Sequence, residues 1–498
     1  MSKSPLESLS VWADLYKDPS AKTKSDWDDV QTHFAMLESY YRGDVFNTKV
    51  IDPDAAGDTP LLYPVGANLA KTLCLSMADS LFGEWNESVV TFDPARTAEI
   101  TDAVTAASRQ LDMILRASRG NSRLWELELD RQKFGGGIFK INFDKAPHYI
   151  NWSRIQATEF FPVVDPTNED RFLAVKIMSR ISREQAYEKF GASTNKSEVE
   201  IKEIWTNKNY EYWVDEKKIG EFCGENPYGI VPFVYIPRFR SSNWWGESLI
   251  DDVRLTQDEL NMRLGDLGEA INYNSHPTRW GVNLPRKFNA KNYPLGSNVL
   301  WDLGRAFSGA PQPQVGILES ASPVPQGVFD YIKWIYDWTR TSVFAPPIAF
   351  GEDDGGGQRS GVTLEIRMWP LLKAIRRSRA YLSTGLTNAV EVSARLLEQK
   401  NVLENSAQII AAMRDGSIVP GFSSIMPRDK AALVDEVVKR LSTNPPTISL
   451  QEALKVLGSP SSEEEDIDTM VKKYAKSVSA QSNNDSGDNK PNQEQEID

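Results

Sequence analysis

Residues Gly246 to His276 read GESLIDDVRLTQDELNMRLGDLGEAINYNSH. From Glu247 onward the spacing predicts one long helix, because Leu249, Val253, Leu260, Leu264, Leu267 and Ile271 recur at nearly heptad intervals and share a face. Gly265 and Gly268 are the only breaks, and Pro277 ends it. Thirty helical residues reach about 45 Å, against a usual mean of about 11–12 residues. Downstream, Thr278–Pro325 is rich in Pro, Gly and Asn and is read as irregular, with short apolar runs. A second helix is expected over Gln326–Val343, stopped by Pro346-Pro347. The loop GEDDGGGQRSG, Gly351–Gly361, leads into a third long helix from about Val362 to Lys400, with a kink expected at Pro370. Residues 404–475 are read as shorter helices separated by Pro420, Pro427, Pro445-Pro446 and Pro460. The last stretch, from Ser477, has almost no large apolar side chains and is expected to be a disordered acidic tail.

Upstream, the first 130 residues read as mostly helical: Asp26–Tyr41, Asn68–Phe82 and Arg96–Lys133. At Gly135-Gly136-Gly137 the pattern turns to short β-branched and aromatic runs. Ile138–Phe143, Phe160–Val164, Phe172–Ile177, Val199–Trp205, Tyr210–Val214 and Val231–Ile236 are expected as antiparallel strands, the last held to an edge or an end by Pro232.

The chain has 498 residues, 40% of them hydrophobic and 25% charged, the composition of a multi-part globular protein. Its 56 Lys and Arg against 69 Asp and Glu leave a net charge of −13, which argues against gripping nucleic acid over most of the surface. It leaves open a protein that lets DNA pass. Two cysteines, Cys74 and Cys223, and three histidines make neither a disulfide framework nor a zinc site. No metal or other cofactor is expected. MSKSPLESLSVWADLYKD lacks the apolar run of a signal peptide, and no window is apolar enough to span a membrane, so a soluble protein of a reducing compartment is expected.

Catalytic motifs are wanting. Gly66-Ala-Asn-Leu-Ala-Lys71-Thr72 approaches a phosphate-binding loop, but it lacks the second glycine, carries its lysine one position early and lies in a helical pattern. Gly191–Ser197 fails in the same way, and no G-x-S-x-G, H-E-x-x-H or paired C-x-x-C occurs. Asp251 and Asp252 face two directions on a helix. Two charge features remain. The helix after Gly246 carries Glu247, Asp251, Asp252, Asp258, Glu259, Asp266 and Glu269 against two arginines. The helix after Gly361 carries Arg367, Lys373, Arg376, Arg377, Arg379, Arg395 and Lys400 against three glutamates. Solvated faces account for most of these singly; the sharper reading is that copies of the two helices meet around a ring, acid against base.

Several segments, in order, carry a resemblance: Tyr40-Tyr41-Arg42-Gly43; Asn68-Leu-Ala-Lys71; Gly246-Glu-Ser248 with Leu255-Thr-Gln-Asp-Glu-Leu-Asn261; and Ser360-Gly361-Val-Thr-Leu364 with Arg367. The chain resembles the portal proteins of tailed bacteriophages. The resemblance implies an α+β, mainly α portal fold: a wing of helices and antiparallel strands over 1–245, stem helices over 246–276 and 323–345, and a clip over 277–322. A tunnel loop over 346–361, a long kinked helix over 362–400 and a helical crown over 401–475 follow, then the acidic tail 476–498. It further implies a homo-dodecameric ring at the unique capsid vertex, a conduit for genome packaging and ejection that carries no catalysis of its own. The implied partners are double-stranded DNA in the channel, the terminase large subunit, major capsid and scaffolding proteins, and head-completion or tail adaptor proteins. The implied location is the virion, and the host cytoplasm during assembly.

A ring multiplies each lining residue by its subunit count, so a channel for a polyanion is better served by weak repulsion, screened over about 8 Å at physiological salt. Glu247, Asp251, Asp258, Glu352, Asp353 and Asp354 are therefore candidate channel acids, with Gln358 and Arg359 for transient phosphate contacts. Gly355, Gly356 and Gly357 are candidate hinges, Pro370 the kink. Two other classes fit less of the sequence: another virion head–tail connector or scaffold protein, usually shorter and without this order of helices and loops, and a diverged nuclease or ATPase.

Overall fold

The computed structural model describes mainly residues 24–47, 66–83, 90–95, 102–117, 120–143, 150–275, 279–283, 311–317, 325–352, 361–400, 406–425 and 430–443. Helix predominates over strand. The helices are α1 (Lys24–Arg42), α2 (Leu69–Phe82), α3 (Asp102–Ala117), α4 (Gly120–Phe134), α5 (Arg183–Phe190), α6 (Leu249–Ser275), α7 (Gln326–Ser342), α8 (Gly361–Gln399), α9 (Ser406–Arg414) and α10 (Lys430–Leu441). The chain divides into two compact units, Met1–Ser423 and Ser424–Asp498. In the second, α10 buries Val437 on one face and exposes Val434 and Val438.

In the first unit, β1 (Val90–Pro94) precedes α3. The strands β2 (Gly136–Phe143), β3 (Ile150–Ile155), β4 (Phe160–Asp165), β5 (Asn168–Ser182), β6 (Glu198–Thr206), β7 (Asn209–Val214), β8 (Lys217–Lys218), β9 (Gly224–Glu225) and β10 (Phe233–Pro237) then form two antiparallel sheets. One has the order β10-β2-β3, the other β4-β5-β6-β7-β8 with β9 also paired to β7. Pro232 sits just before β10, an edge strand, where its carbonyl accepts the Ile141 amide at 2.8 Å. Every strand expected from the sequence is present.

Strands also form where the sequence reading had none, β1 and β3 among them. Within the stretch read as irregular, β11 (Arg279–Val282) and β12 (Gln314–Ile317) pair antiparallel. Within the stretch read as helices, β13 (Ile418–Phe422) is a strand, paired with β1 so that Phe92 lies opposite Pro420. The sequence pattern marks Pro420 as a helix breaker, but a two-stranded ribbon leaves half of each strand's amides outside the ladder and so tolerates proline. The pairing joins residues some 330 positions apart, which local pattern does not encode.

The turn to β-structure at Gly135 is set by a close approach. Gly135 and Gly246 both have positive φ, +82° and +83°. A methyl group on Gly135 would lie 2.6 Å from the Gly246 carbonyl oxygen, and one on Gly246 would lie 2.5 Å from that of Gly135. The two backbones touch because neither residue has a side chain, and this sets the entry to α6 beside the exit of α4. Around it Trp244, Trp245, Tyr235, Phe160 and Phe34 pack as an aromatic cluster, with Tyr235 stacked on Trp244 at 4.4 Å and Phe34 edge-on to Trp245 at 5.3 Å.

Gly135→Ala is expected to lower the thermal midpoint by several degrees, through forced φ strain and backbone overlap together. Gly191→Ala, also at positive φ but facing open space, is the control and should cost clearly less.

Candidate functional site

The segments that stand apart in the sequence meet at one buried junction beneath α6. Four amides at any helix start lack an intrahelical partner. At the start of α2, Asn68 caps the helix, its Oδ1 accepting the Lys71 amide at 2.9 Å. The amides of Leu69 and Ala70 donate instead to Oε1 of Gln257 on α6, at 2.8 and 3.1 Å, while Gln257 Nε2 donates to the Ala67 carbonyl at 2.6 Å. Asn261, one turn on, accepts the Ala67 amide at 3.0 Å. Asn68 Nδ2 donates to the carbonyls of Tyr40 and Tyr41 at the end of α1. Gln257 is fully buried. These bonds also dispose of the phosphate-loop reading of Gly66–Thr72, since the amides that would hold a phosphate are already occupied.

α1 is held against α6 by the acids of the latter. Tyr40 Oη donates to both carboxylate oxygens of Asp258, at 2.9 and 2.7 Å, and His33 Nε2 lies 2.8 Å from Asp251. Burial, together with this bond to Asp258, pushes the Tyr40 hydroxyl up to about 12. Asp252 points elsewhere, to Arg238 at 3.5 Å. Burial pushes the Asp252 carboxyl up and the Arg238 guanidinium down from their ordinary values, and their mutual attraction opposes both shifts. Glu247 precedes the helix and accepts a hydrogen bond from Ser241. The start of α6 is fixed by Ser248, whose Oγ donates to the Lys133 carbonyl at 2.6 Å and accepts the Ile250 amide at 3.0 Å.

Beneath this junction α4 carries a buried run, Glu128, Asp130, Arg131, Gln132 and Lys133. Arg131 pairs with Glu128 and donates to the carbonyls of Pro237 at 2.9 Å and Ser378 at 3.0 Å. It thereby ties α4 to the end of β10 and to α8. Asp130 pairs with Arg154, and Lys133 with Glu38. Burial raises the carboxyls of Glu128 and Asp130, against the lowering effect of Arg131 and Arg154. Arg379 of α8 donates to the Leu81 carbonyl at the end of α2, and burial alone drops its guanidinium to about 10. Burial also pushes the Cys74 thiol up to about 12, so it stays protonated and unreactive near neutral pH.

At the end of α7, Arg340 is buried, stacked on Tyr336 at 4.3 Å, bonded to Asp337 at 2.5 Å and ion-paired with Glu352 at 2.7 Å. Glu352 is thus clasped to the helix from which its loop departs. Asp353, Asp354, Gly355, Gly356, Gly357, Gln358 and Arg359 lie outside the described residues. α8 runs on through Pro370, which is exposed. Of the sequence candidates, then, Asp251 and Asp258 stand together on α6 against α1, while Glu352 belongs to the Arg340 clasp. Sequence reasoning missed Gln257, Asn261 and Arg340; the segment Leu255–Asn261 was singled out, but its polar residues carry no local sign of a partner some 190 positions away. Among the described residues no cluster of His, Cys, Asp and Glu is placed to hold a metal, and no helix is long and apolar enough to cross a membrane.

The junction joins three of the groups of segments on which the resemblance rested, those around Tyr40, Asn68 and Gly246–Asn261. Residues 21–478 match the family described as "Phage portal protein, SPP1 Gp6-like". The chain belongs to the phage portal protein family. A portal is a virion protein, the connector between head and tail, and its family is structural rather than enzymatic. Among solved structures, one titled "Virion of native gene transfer agent (GTA) particle" is similar at 12% identity with a TM-score of 0.43, covering 86% of this chain and 93% of that chain. No curated protein sequence matches.

Tyr40→Phe is expected to cost about 1.5–3 kcal/mol, the range for a hydrogen bond to a charged acceptor, read by chemical denaturation below pH 10. A tyrosine near 10 when unfolded and near 12 when folded stabilises fully below 10 and loses that contribution as pH rises through about 12. The gap between wild type and variant should therefore close over that window.

Proposed function

We propose that copies of this chain close into a ring, twelve by analogy with the family, through which double-stranded DNA is packed into and ejected from the capsid. The reading rests on one observation: the family match spans residues 21–478, nearly the whole chain. On this reading the ring contacts capsid and scaffolding proteins around its rim, the terminase large subunit during packaging, and head-completion or tail adaptors afterwards. It assembles in the host cytoplasm and remains in the virion. α6 and α7 are the stem, residues 277–322 the clip, residues 346–361 the tunnel loop, α8 the long helix, and residues 401–475 the crown.

The ring is a passive gasket, with nucleotide hydrolysis left to the separate motor. An acidic wall suits that task. Each lysine on a lining position would be repeated around the ring, and neutralising 6–10 phosphates is enough to make binding tight and steeply salt-dependent. Net charge −13 favours a sliding polyanion over a held one. We assign the lining role to Glu247, Asp353 and Asp354, with Gln358 and Arg359 touching passing phosphates. We leave Asp251 and Asp258 out of the lining, since their oxygens hold α1.

Asp353→Lys with Asp354→Lys is expected to slow DNA packaging at least tenfold in a reaction driven by the cognate motor, while particle-free rings form as in the wild type. Packaging at the wild-type rate would take the loop acids out of the mechanism. The purified chain should also show no ATPase or nuclease activity above buffer, and turnover by it would contradict the passive role.

A further inference from the structure

Two faces of the first unit are exposed, apolar at the centre and opposite in charge. On α6, Leu255 is 75% exposed and Met262 is also exposed, and Asp251, Asp258 and Asp266 flank them on the same face. Asp251 is met by a histidine and Asp258 by a neutral hydroxyl; of the three, only Asp266 has an arginine beside it, Arg263 at 2.9 Å. On α8, Ile366 is 67% exposed and Trp369 is also exposed, with Lys373, Arg376 and Arg377 on the same face. These three cations lie over rings: Lys373 and Arg376 each 5.4 Å from the Trp369 centroid, Arg377 4.6 Å from that of Phe239. Among the described residues, none of the three has a carboxylate within ion-pair distance, in a chain where acids outnumber bases.

We infer that the α8 face of one copy docks on the α6 face of the next, Ile366 and Trp369 against Leu255 and Met262, with Lys373, Arg376 and Arg377 set against Asp251, Asp258 and Asp266. The inference rests on the ring proposed above and names the surfaces that close it. Three arguments favour a second copy as occupant. The charges are complementary, and exposed apolar side chains on both faces ask for cover. The faces are of similar length, about 22 Å from Asp251 to Asp266 and about 16 Å from Ile366 to Arg377 at 1.5 Å per residue. They are also different faces of one molecule, so pairing them is heterologous, the arrangement that generates closed rings rather than two-fold dimers. A nucleic acid is the other polyanion that a cationic, aromatic patch could take; it leaves Leu255 and Met262 uncovered.

The test is charge reversal on the full chain, with the concentration at half assembly read by analytical ultracentrifugation. Lys373→Glu, Arg376→Glu and Arg377→Glu together are expected to raise that concentration at least tenfold. Asp251→Lys with Asp266→Lys should do the same, and combining both sets should bring it back to within about threefold of wild type. Wild-type assembly should also weaken between 50 and 500 mM salt, a reading that needs no variant to fold. The pairing is overturned if the α8 reversal assembles at the wild-type concentration, if the combined set shows no recovery while each single set melts like wild type, or if assembly ignores salt. It is equally overturned if the α8 reversal leaves assembly intact and instead abolishes retention of a 30-base-pair duplex. Absence of rings from the wild type removes the ring and the pairing together, whereas rings from the α8 reversal remove the pairing alone.

Discussion

A helix cannot begin inside a protein unless something accepts its first amides, and here that acceptor comes from another helix. Gln257 presents one oxygen to the buried amides of Leu69 and Ala70 and one donor to the half-buried carbonyl of Ala67. Removing it would leave buried amides unpaired, each costing about 1–3 kcal/mol. The same bonds fix the rotation of α6 about its own axis. Once that is set, Leu249, Val253 and Leu260 face the core, and the outward face carries Leu255 and Met262 with Asp251 and Asp258 at its edge, where they reach α1. The orientation of α6 follows from an amide side chain in its middle.

The charged interior of α4 works with that junction. Arg131 reaches carbonyls of β10 and α8 at once, and Lys133 receives Ser248 through its backbone and Glu38 through its side chain. A buried pair is a poor source of net stability compared with well-packed apolar groups, but breaking one partner away is costly. Such a network suits a part whose geometry must be the same in every copy. The contact between Gly135 and Gly246 adds a steric condition to the same region.

Much of this was legible in the sequence. The three long helices and the six expected strands all declared themselves by period, by β-branched content or by proline. The order of weak motifs pointed to the family. Legibility ended where partners are distant. Nothing near Ile418 announces a strand, because its partner is β1, and the acids of α6 read as solvated until His33 and Tyr40 were seen to meet two of them. Gln257 is an ordinary polar residue in a helical pattern, and its role exists only once α2 is placed beside it. Arg340 carries no mark of burial in the sequence, although it is buried and pairs with the first acid of the loop.

If these parts serve a conduit, the single chain is an incomplete object, with exposed apolar side chains on α6, α7 and α8 awaiting neighbours. Electron microscopy of the purified full-length chain tests this most directly. Rings of fixed subunit number enclosing a hole wide enough for a duplex, about 20 Å, are the result that the account requires. Compact single particles without a hole, at concentrations well above those in an infected cell, would contradict it.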